Sequence, residues 1–535
     1  MVVYITRSPV GRLALNAGAG SGFVPANCSP LSARRRGRRR WRTVISSRRS
    51  GPGRPIRIAA ATAVVLAAGG FQAAQAAPAK AGLQLLAASA KVTVTKYGES
   101  PEAMLDLGVY LSATGAPFEV RAQRKSYNDP ITANQLIRHS GGTRTKALPK
   151  GLLKDFTGFP KFLHVSLTDA KGKKVLDRVQ DVCPSAESAR VAPGAPAKSP
   201  YPVGCSGNPW TLGSVWGIQK GWATDATGDE QANAPVRLAD GAYTATVSVT
   251  KAYRDLFGIP GTPKKIAVTV RTMDDGHGAR PKAAPSPAPL KAGAKPAGNG
   301  AVPKGPKPDL RALPAWEIGI DHGEEGGAAP KRDYMAFSAN VWNAGPSPLV
   351  VDGFRVKQDL MDAYQYFFDG NGRQIGYAKT GGMEWDPRDG HEHWHFKDFA
   401  SYRLLGADKK EIVRSQKEAF CLANTDAINQ LVKNANWKPD NTDLHTACGD
   451  LSSLSVREVL DVGSGDTYVQ SLPGQSFDVT ALANGTYYIQ VIANPAHRLF
   501  EGDLNNNISL RKVVLGGKPG HRTVKAAPVG KVNAP

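Results

Sequence analysis

Short runs in which apolar residues return at every second position, broken by Gly, Pro, Asn and Asp, recur through most of this 535-residue chain. They include Val92-Thr-Val-Thr, Phe162-Leu-His-Val-Ser-Leu, Tyr243-Thr-Ala-Thr-Val-Ser-Val and Ile266-Ala-Val-Thr-Val in the first half. In the second half come Met335-Ala-Phe-Ser-Ala-Asn-Val, Ser401-Tyr-Arg-Leu-Leu and Tyr487-Tyr-Ile-Gln-Val-Ile, the last preceded by the hairpin pair Asn484-Gly485. A period of two marks half-buried strands, because successive side chains point to opposite faces. The pattern predicts an all-β protein, with one helical stretch around Asp426 to Val432.

The length exceeds what one hydrophobic core usually serves, so more than one domain is expected. Residues 276–307 are mostly Gly, Ala, Pro and Lys without a single acid, and cannot bury enough apolar surface to offset chain entropy. They are expected to be an extended linker whose lysines solubilise it or touch anionic wall polymer. On this division residues 91–275 form a β-sandwich-like accessory domain with no catalytic constellation, its lone His164 a satisfied core or surface residue. Residues 308–515 form a second β-rich unit, and residues 516–535 a basic tail, mobile from about Lys518.

The net charge of +23 invites a nucleic-acid reading, yet thirteen basic residues lie between Arg7 and Arg57 with no acid through Ala76. Arg54 and Arg57 precede the apolar run Ile58 to Gly70 and then Ala74-Gln75-Ala76, the order of a secretory signal peptide with its small-residue cleavage site. Residues 1–76 are therefore expected to be removed and 77–90 to be a short linker. The mature chain would keep about +10, with no nucleic-acid role. Residues 1–43, with the Arg34 to Arg40 run, are read as an overlong start rather than a nucleic-acid arm. Arg48-Arg49-Ser50 resembles a twin-arginine signal only weakly. The apolar run is too short to span a bilayer, and a secreted, extracellular protein is expected.

Outside the discarded segment four cysteines remain, and an even number in an exported chain favours disulfides. Proximity pairs Cys183 with Cys205 and Cys421 with Cys448. Structural zinc is the alternative, unsupported by any Cys-x-x-Cys.

Gly390-His-Glu-His-Trp-His-Phe396 sets His391, His393 and His395 on one face of a strand, with Trp394 and Phe396 on the other. Three imidazoles without a nearby thiolate suit copper or zinc.

This run, with Glu384-Trp385 before it and Asp398, Phe399, Ser401-Tyr402 and Leu404-Leu405 after it, resembles the copper-binding segment of the lysyl oxidases. Lys417-Glu-Ala-Phe420-Cys421-Leu422 is similar to the family segment that carries the cofactor lysine, and Asp466-Thr467-Tyr468 to the one that carries the cofactor tyrosine. The closing stretch Phe477-Asp478-Val479-Thr480, Gly485, Tyr487 and Asn494-Pro495 keeps the same order, over about 200 residues. The resemblance implies a lysyl-oxidase-type β-sandwich with long loops, copper on the three histidines, and lysyl tyrosylquinone formed from Lys417 and Tyr468. It also implies oxidative deamination of primary amines, peptidyl lysine or smaller ones, to aldehydes. Molecular oxygen would be consumed, with release of hydrogen peroxide and ammonia. A quinone carbonyl is an electrophile that a primary amine attacks, after which a nearby base removes a proton from the adjacent carbon. Asp398 is the candidate for that base if the chain bends after His395, and otherwise supports the ligands. Asp309-Leu310 and Glu501-Gly-Asp503-Leu-Asn-Asn506-Asn507 resemble a calcium site of animal relatives, their oxygens suiting a hard cation.

The chain departs from the animal pattern in having two cysteines near the cofactor segments and one extra residue between Trp385 and His391. The accessory domain has no recognised counterpart. Glu384, Asp386, Asp389 and Glu392 near the triad would either attract a substrate ammonium or simply solvate a loop. The rival readings are a non-enzymatic, wall-associated metal-binding protein and a zinc hydrolase using the same three histidines.

Overall fold

The computed structural model describes residues 82–98, 100–139, 141–228, 234–273, 295–322, 332–388, 392–415, 419–439, 448–472 and 474–530. The signal-like segment, the first part of the linker, Asp389, His391 and Lys417 lie outside them. No helix among the described residues is long and apolar enough to cross a membrane.

The protein is all-β, and each alternating run quoted above lies on a strand. In the first half, a five-stranded sheet runs in the order Lys91–Tyr97, Lys264–Met273, Gly241–Val249, Phe159–Asp169, Lys174–Val182. Its first two strands pair in parallel and the others antiparallel. A four-stranded sheet, Gly213–Ile218, Phe118–Gln123, Thr132–His139, Gly142–Ala147, shares a core with it. Phe118, Phe159, Phe162 and Trp216 are fully buried there. The one helix among the described residues, Lys251–Phe257, caps this core. Gly258 ends it in the left-handed conformation, and Tyr253 and Phe257, four residues apart, bury one face against Phe159.

The second half holds a six-stranded sheet ordered Ala419–Phe420, His393–Lys397, Gln374–Asp386, Leu360–Phe368, Leu349–Arg355, Ser455–Leu460. A five-stranded sheet follows the order Glu411–Arg414, Ala400–Leu405, Gly485–Ala493, Ile508–Lys518, His521–Ala526. A third sheet places Tyr334–Asn343 beside Ser464–Tyr468, which pairs in turn with Asp426–Ala427. All three contribute to one core containing Phe337, Trp394, Phe396, Tyr402 and Phe420. Both expected disulfides form, Cys183–Cys205 and Cys421–Cys448.

Three local expectations are corrected. Residues 426–432 are not helical: Ile428, Leu431 and Val432 have helix-like spacing, but the Ile428 and Asn429 amides both donate to the Gly463 carbonyl. The Asn429 side chain then accepts from the Leu431 amide, offering the backbone a turn in place of a helix. Lys518 does not open a tail, because Pro519-Gly520, with Gly520 at φ 81°, makes a hairpin turn. His521–Ala526 then pairs back on Ile508–Lys518. The end of the supposed linker is packed: Lys295 pairs with Asp362, the Lys379 amide donates to Asn299, and Gly300 bridges to Ala378. A Cβ on Gly300 would sit 2.2 Å from the Tyr377 carbonyl oxygen, so glycine permits this approach.

Candidate active site

The histidine strand His393–Lys397 lies between Gln374–Asp386 and Ala419–Phe420. Its alternation works as the sequence predicts: Trp394 and Phe396 are fully buried on one face, while the His393 and His395 rings lie together on the other, centroids 4.7 Å apart. His395 is only 1% exposed, and its Nδ1 sits 3.4 Å from Asp386 Oδ2. Burial alone would raise the Asp386 pKa, but the hydrogen bonds and charge of Arg388, aided by His395, hold it down to about 2. A carboxylate behind one ring nitrogen is the usual support for a metal-binding imidazole and leaves Nε2 as the nitrogen a metal would take. The donor set thus fits copper or zinc, although no group of three His, Cys, Asp or Glu among the described residues is placed to hold a metal.

Tyr468 ends the Ser464–Tyr468 strand. Its hydroxyl donates to the Cys421 carbonyl at 2.8 Å, and its ring packs edge-on against Phe420 at 4.8 Å. Phe420 pairs in register with Phe396 of the histidine strand, and the Trp394 amide donates to Cys448 across the Cys421–Cys448 disulfide. The structure therefore brings Tyr468, the residues that directly follow 416–418, and the histidine strand into one neighbourhood. Burial, then the nearby Asp466, Tyr402 and Glu458, push the Tyr468 phenol well above its usual pKa. Glu458 escaped the sequence reading. It is fully buried and accepts from the Leu422 amide, fixing the backbone just after Cys421. Its only signal was an acid at an inward position of the strand Ser455–Leu460.

The strand ends at Lys397, and Asp398 turns the chain with φ 61°, pairing with Arg498 at 3.1 Å. The bend required of a base is present, and Arg498 is the partner it makes. Two of the four local acids have internal partners: Glu384 pairs with Lys397, and Asp386 with Arg388 and His395. Glu392 is exposed. His164, on the strand Phe159–Asp169, pairs with Asp177 at the surface.

Asp309-Leu310 and residues 501–507 meet. The Leu310 amide donates to Glu501 at 2.8 Å, and the Asn506 amide nitrogen reaches Asp309 Oδ1 at 2.9 Å and Asp503 at 3.4 Å. Asn494 and Asn507 both donate to Glu501. Burial raises the Glu501 pKa, those donors and the Leu310 amide oppose the rise, and Asp309 adds to it. The side-chain oxygens of Asn506 and Asn507 are buried without a hydrogen-bond partner among the described residues. Turning those amides over would present oxygens beside the carboxylates, the donor set of a hard cation.

The lysyl oxidase family model matches residues 368–523, which span both the histidine strand and Tyr468. Residues 368–523 thus correspond to a lysyl oxidase family domain. Lysyl oxidase homolog 2 of Xenopus tropicalis is 30% identical over 139 residues, and human lysyl oxidase homolog 4 is 30% identical over 138. Human lysyl oxidase homolog 2 is 27% identical over 139 residues. Each match covers 26% of this chain and 16% of the relative's own length.

Proposed function

We propose that this protein is an exported copper- and lysyl-tyrosylquinone-dependent amine oxidase. It would convert primary amines, peptidyl lysine or smaller, to aldehydes with consumption of oxygen. The observation that carries this is the placement of Tyr468 against Phe420 and Cys421, one strand from His393 and His395. Lys417 stands four positions before Cys421 in the same chain segment. His393 and His395, with His391, would hold the copper, and the quinone joining Lys417 to Tyr468 would supply the electrophile for the amine. Asp386 orients His395, Phe420 fixes the tyrosine ring, and Glu458 fixes the backbone that leads away from Lys417. Asp398, on its turn, is the carboxylate assigned to take the substrate proton, with Arg498 setting its orientation. Asp309, Leu310, Glu501, Asp503, Asn506 and Asn507 would bind calcium and tie the first strand of this half to its penultimate loop. The two disulfides agree with an oxidising, extracellular setting.

Peptide mass spectrometry on the copper-loaded, air-exposed full chain should find one peptide joining Lys417 to Tyr468. Tyr468→Phe should lose both that peptide and all amine oxidation. An uncrosslinked wild type after full copper loading, or an oxidase rate surviving in Tyr468→Phe, would sink the proposal.

A further inference from the structure

The accessory domain lies outside residues 368–523, which the family model matches, yet its backbone hydrogen-bonds a segment that pairs with the strand carrying Tyr468. The connection is the crossover segment 426–430. At one end Asp426–Ala427 pairs with Gly465 and Ser464, in the same strand as Tyr468. At the other, the segment lies along the start of Gly213–Ile218 in the accessory domain. The Leu212 amide donates to Ile428, the Gln430 amide donates to Gly213, and Gly213 bridges Asn429 in parallel. The Val215 amide donates to the buried Gln430 side-chain oxygen at 2.8 Å. A Cβ on Gly213 would stand 2.4 Å from the Asn429 side-chain oxygen, so a larger residue here would displace that side chain.

Side chains continue the connection. Ile428 is fully buried in a joint core with Tyr127, Trp210 and Leu212 of the accessory domain and Leu313 and Trp342 of the other half. Asn208 accepts from the Trp210 amide with its oxygen and turns its nitrogen to the Thr467 hydroxyl, next to Tyr468. The Thr425 hydroxyl donates to Asp426, at the start of the crossover, at 3.2 Å. The amides of Leu212, Val215 and Gln430 and the side chains of Asn208 and Gln430 find partners across this contact, as buried polar groups generally must.

We propose that the accessory domain is a brace for the cofactor tyrosine: through residues 208–215 it holds the 426–430 crossover, and with it the Ser464–Tyr468 strand, with Asn208 and Gln430 as positioning residues. The inference rests on the amine-oxidase reading of Tyr468. A strand held in this way has few local openings, and a reactive ring displaced by about 1 Å can lose on the order of a hundredfold in rate.

The test is hydrogen exchange on the copper-free full chain, followed by the growth of quinone absorbance after copper is added in air. In Gln430→Ala and in the milder Asn208→Ala, amides 464–468 should exchange about tenfold faster, the factor expected for a lost buried hydrogen bond. Those of His393–Lys397 should stay at the wild-type rate, and quinone formation should slow by a similar factor. Val247→Ala, which destabilises the accessory core away from the crossover, should leave exchange at 464–468 unchanged. Wild-type exchange at 464–468 in both positioning variants overturns the brace, as does equal acceleration by Val247→Ala. A wild type that forms no quinone overturns the oxidase reading instead, while the exchange data still decide whether the strand is braced.

Discussion

Tyr468 holds its phenol proton in surroundings that oppose its loss, with burial first and Asp466, Tyr402 and Glu458 adding negative charge or further hydroxyls. Its folded pKa lies above the unfolded value near 10, so its contribution to stability is complete below about pH 10 and is lost as pH rises through the folded value. The ultraviolet phenolate titrations of wild type and Tyr468→Phe, both copper-free, should therefore coincide past pH 10. A one-residue difference appearing near pH 10 would contradict that environment. Phe420 is completely buried and touches Phe399, Tyr402 and Tyr468. Phe420→Ala should cost roughly 3–5 kcal/mol in denaturant unfolding. The histidine alternation was legible because a period of two needs only the residue order. The role of Asp386 was not, since it depends on the register in which its strand folds back on His393–Lys397, nor was that of Glu458, whose partner Leu422 is 36 residues away.

At the scale of elements, the Cys421–Cys448 bridge closes a separation of 27 residues around the tyrosine's hydrogen-bond acceptor. Removing it by Cys421→Ser with Cys448→Ser should cost about 3 kcal/mol, read as a lowered melting temperature, if loop entropy dominates. Asp240 illustrates the acid side of stability. Lys96 and Thr272 hold its carboxyl down to about 2, joining the loop before Gly241–Val249 to its neighbours. A depressed acid stabilises above its unfolded pKa, and that contribution disappears as pH falls from about 4 toward 2. The acid unfolding curve of Asp240→Asn should be shallower over that range. Strands were readable throughout because their runs were long and periodic. The 426–432 segment was misread because the helical spacing of Ile428, Leu431 and Val432 was incidental, Ile428 alone being fully buried in a joint core, and the Pro519-Gly520 turn was passed over as mere tail composition.

For the molecule as a whole, the calcium site proposed where Asp309-Leu310 meets residues 501–507 would make calcium a stability variable. If those residues bind it, adding calcium to a hundred times its dissociation constant should raise stability by about 2.7 kcal/mol, and a chelator should remove that gain. A melting temperature indifferent to both would argue against the cation. Composition alone divided the chain at residues 276–307, since Pro, Gly and Lys without acids read as a separator. What it could not reveal was that the halves meet through Leu212, Gly213, Ile428 and Gln430, far from the separator in sequence. The covalent thread and the mechanical joint are thus different places. Cutting the peptide between residues 274 and 294 would give a two-chain molecule whose fragments elute together on a sizing column and part only on denaturation.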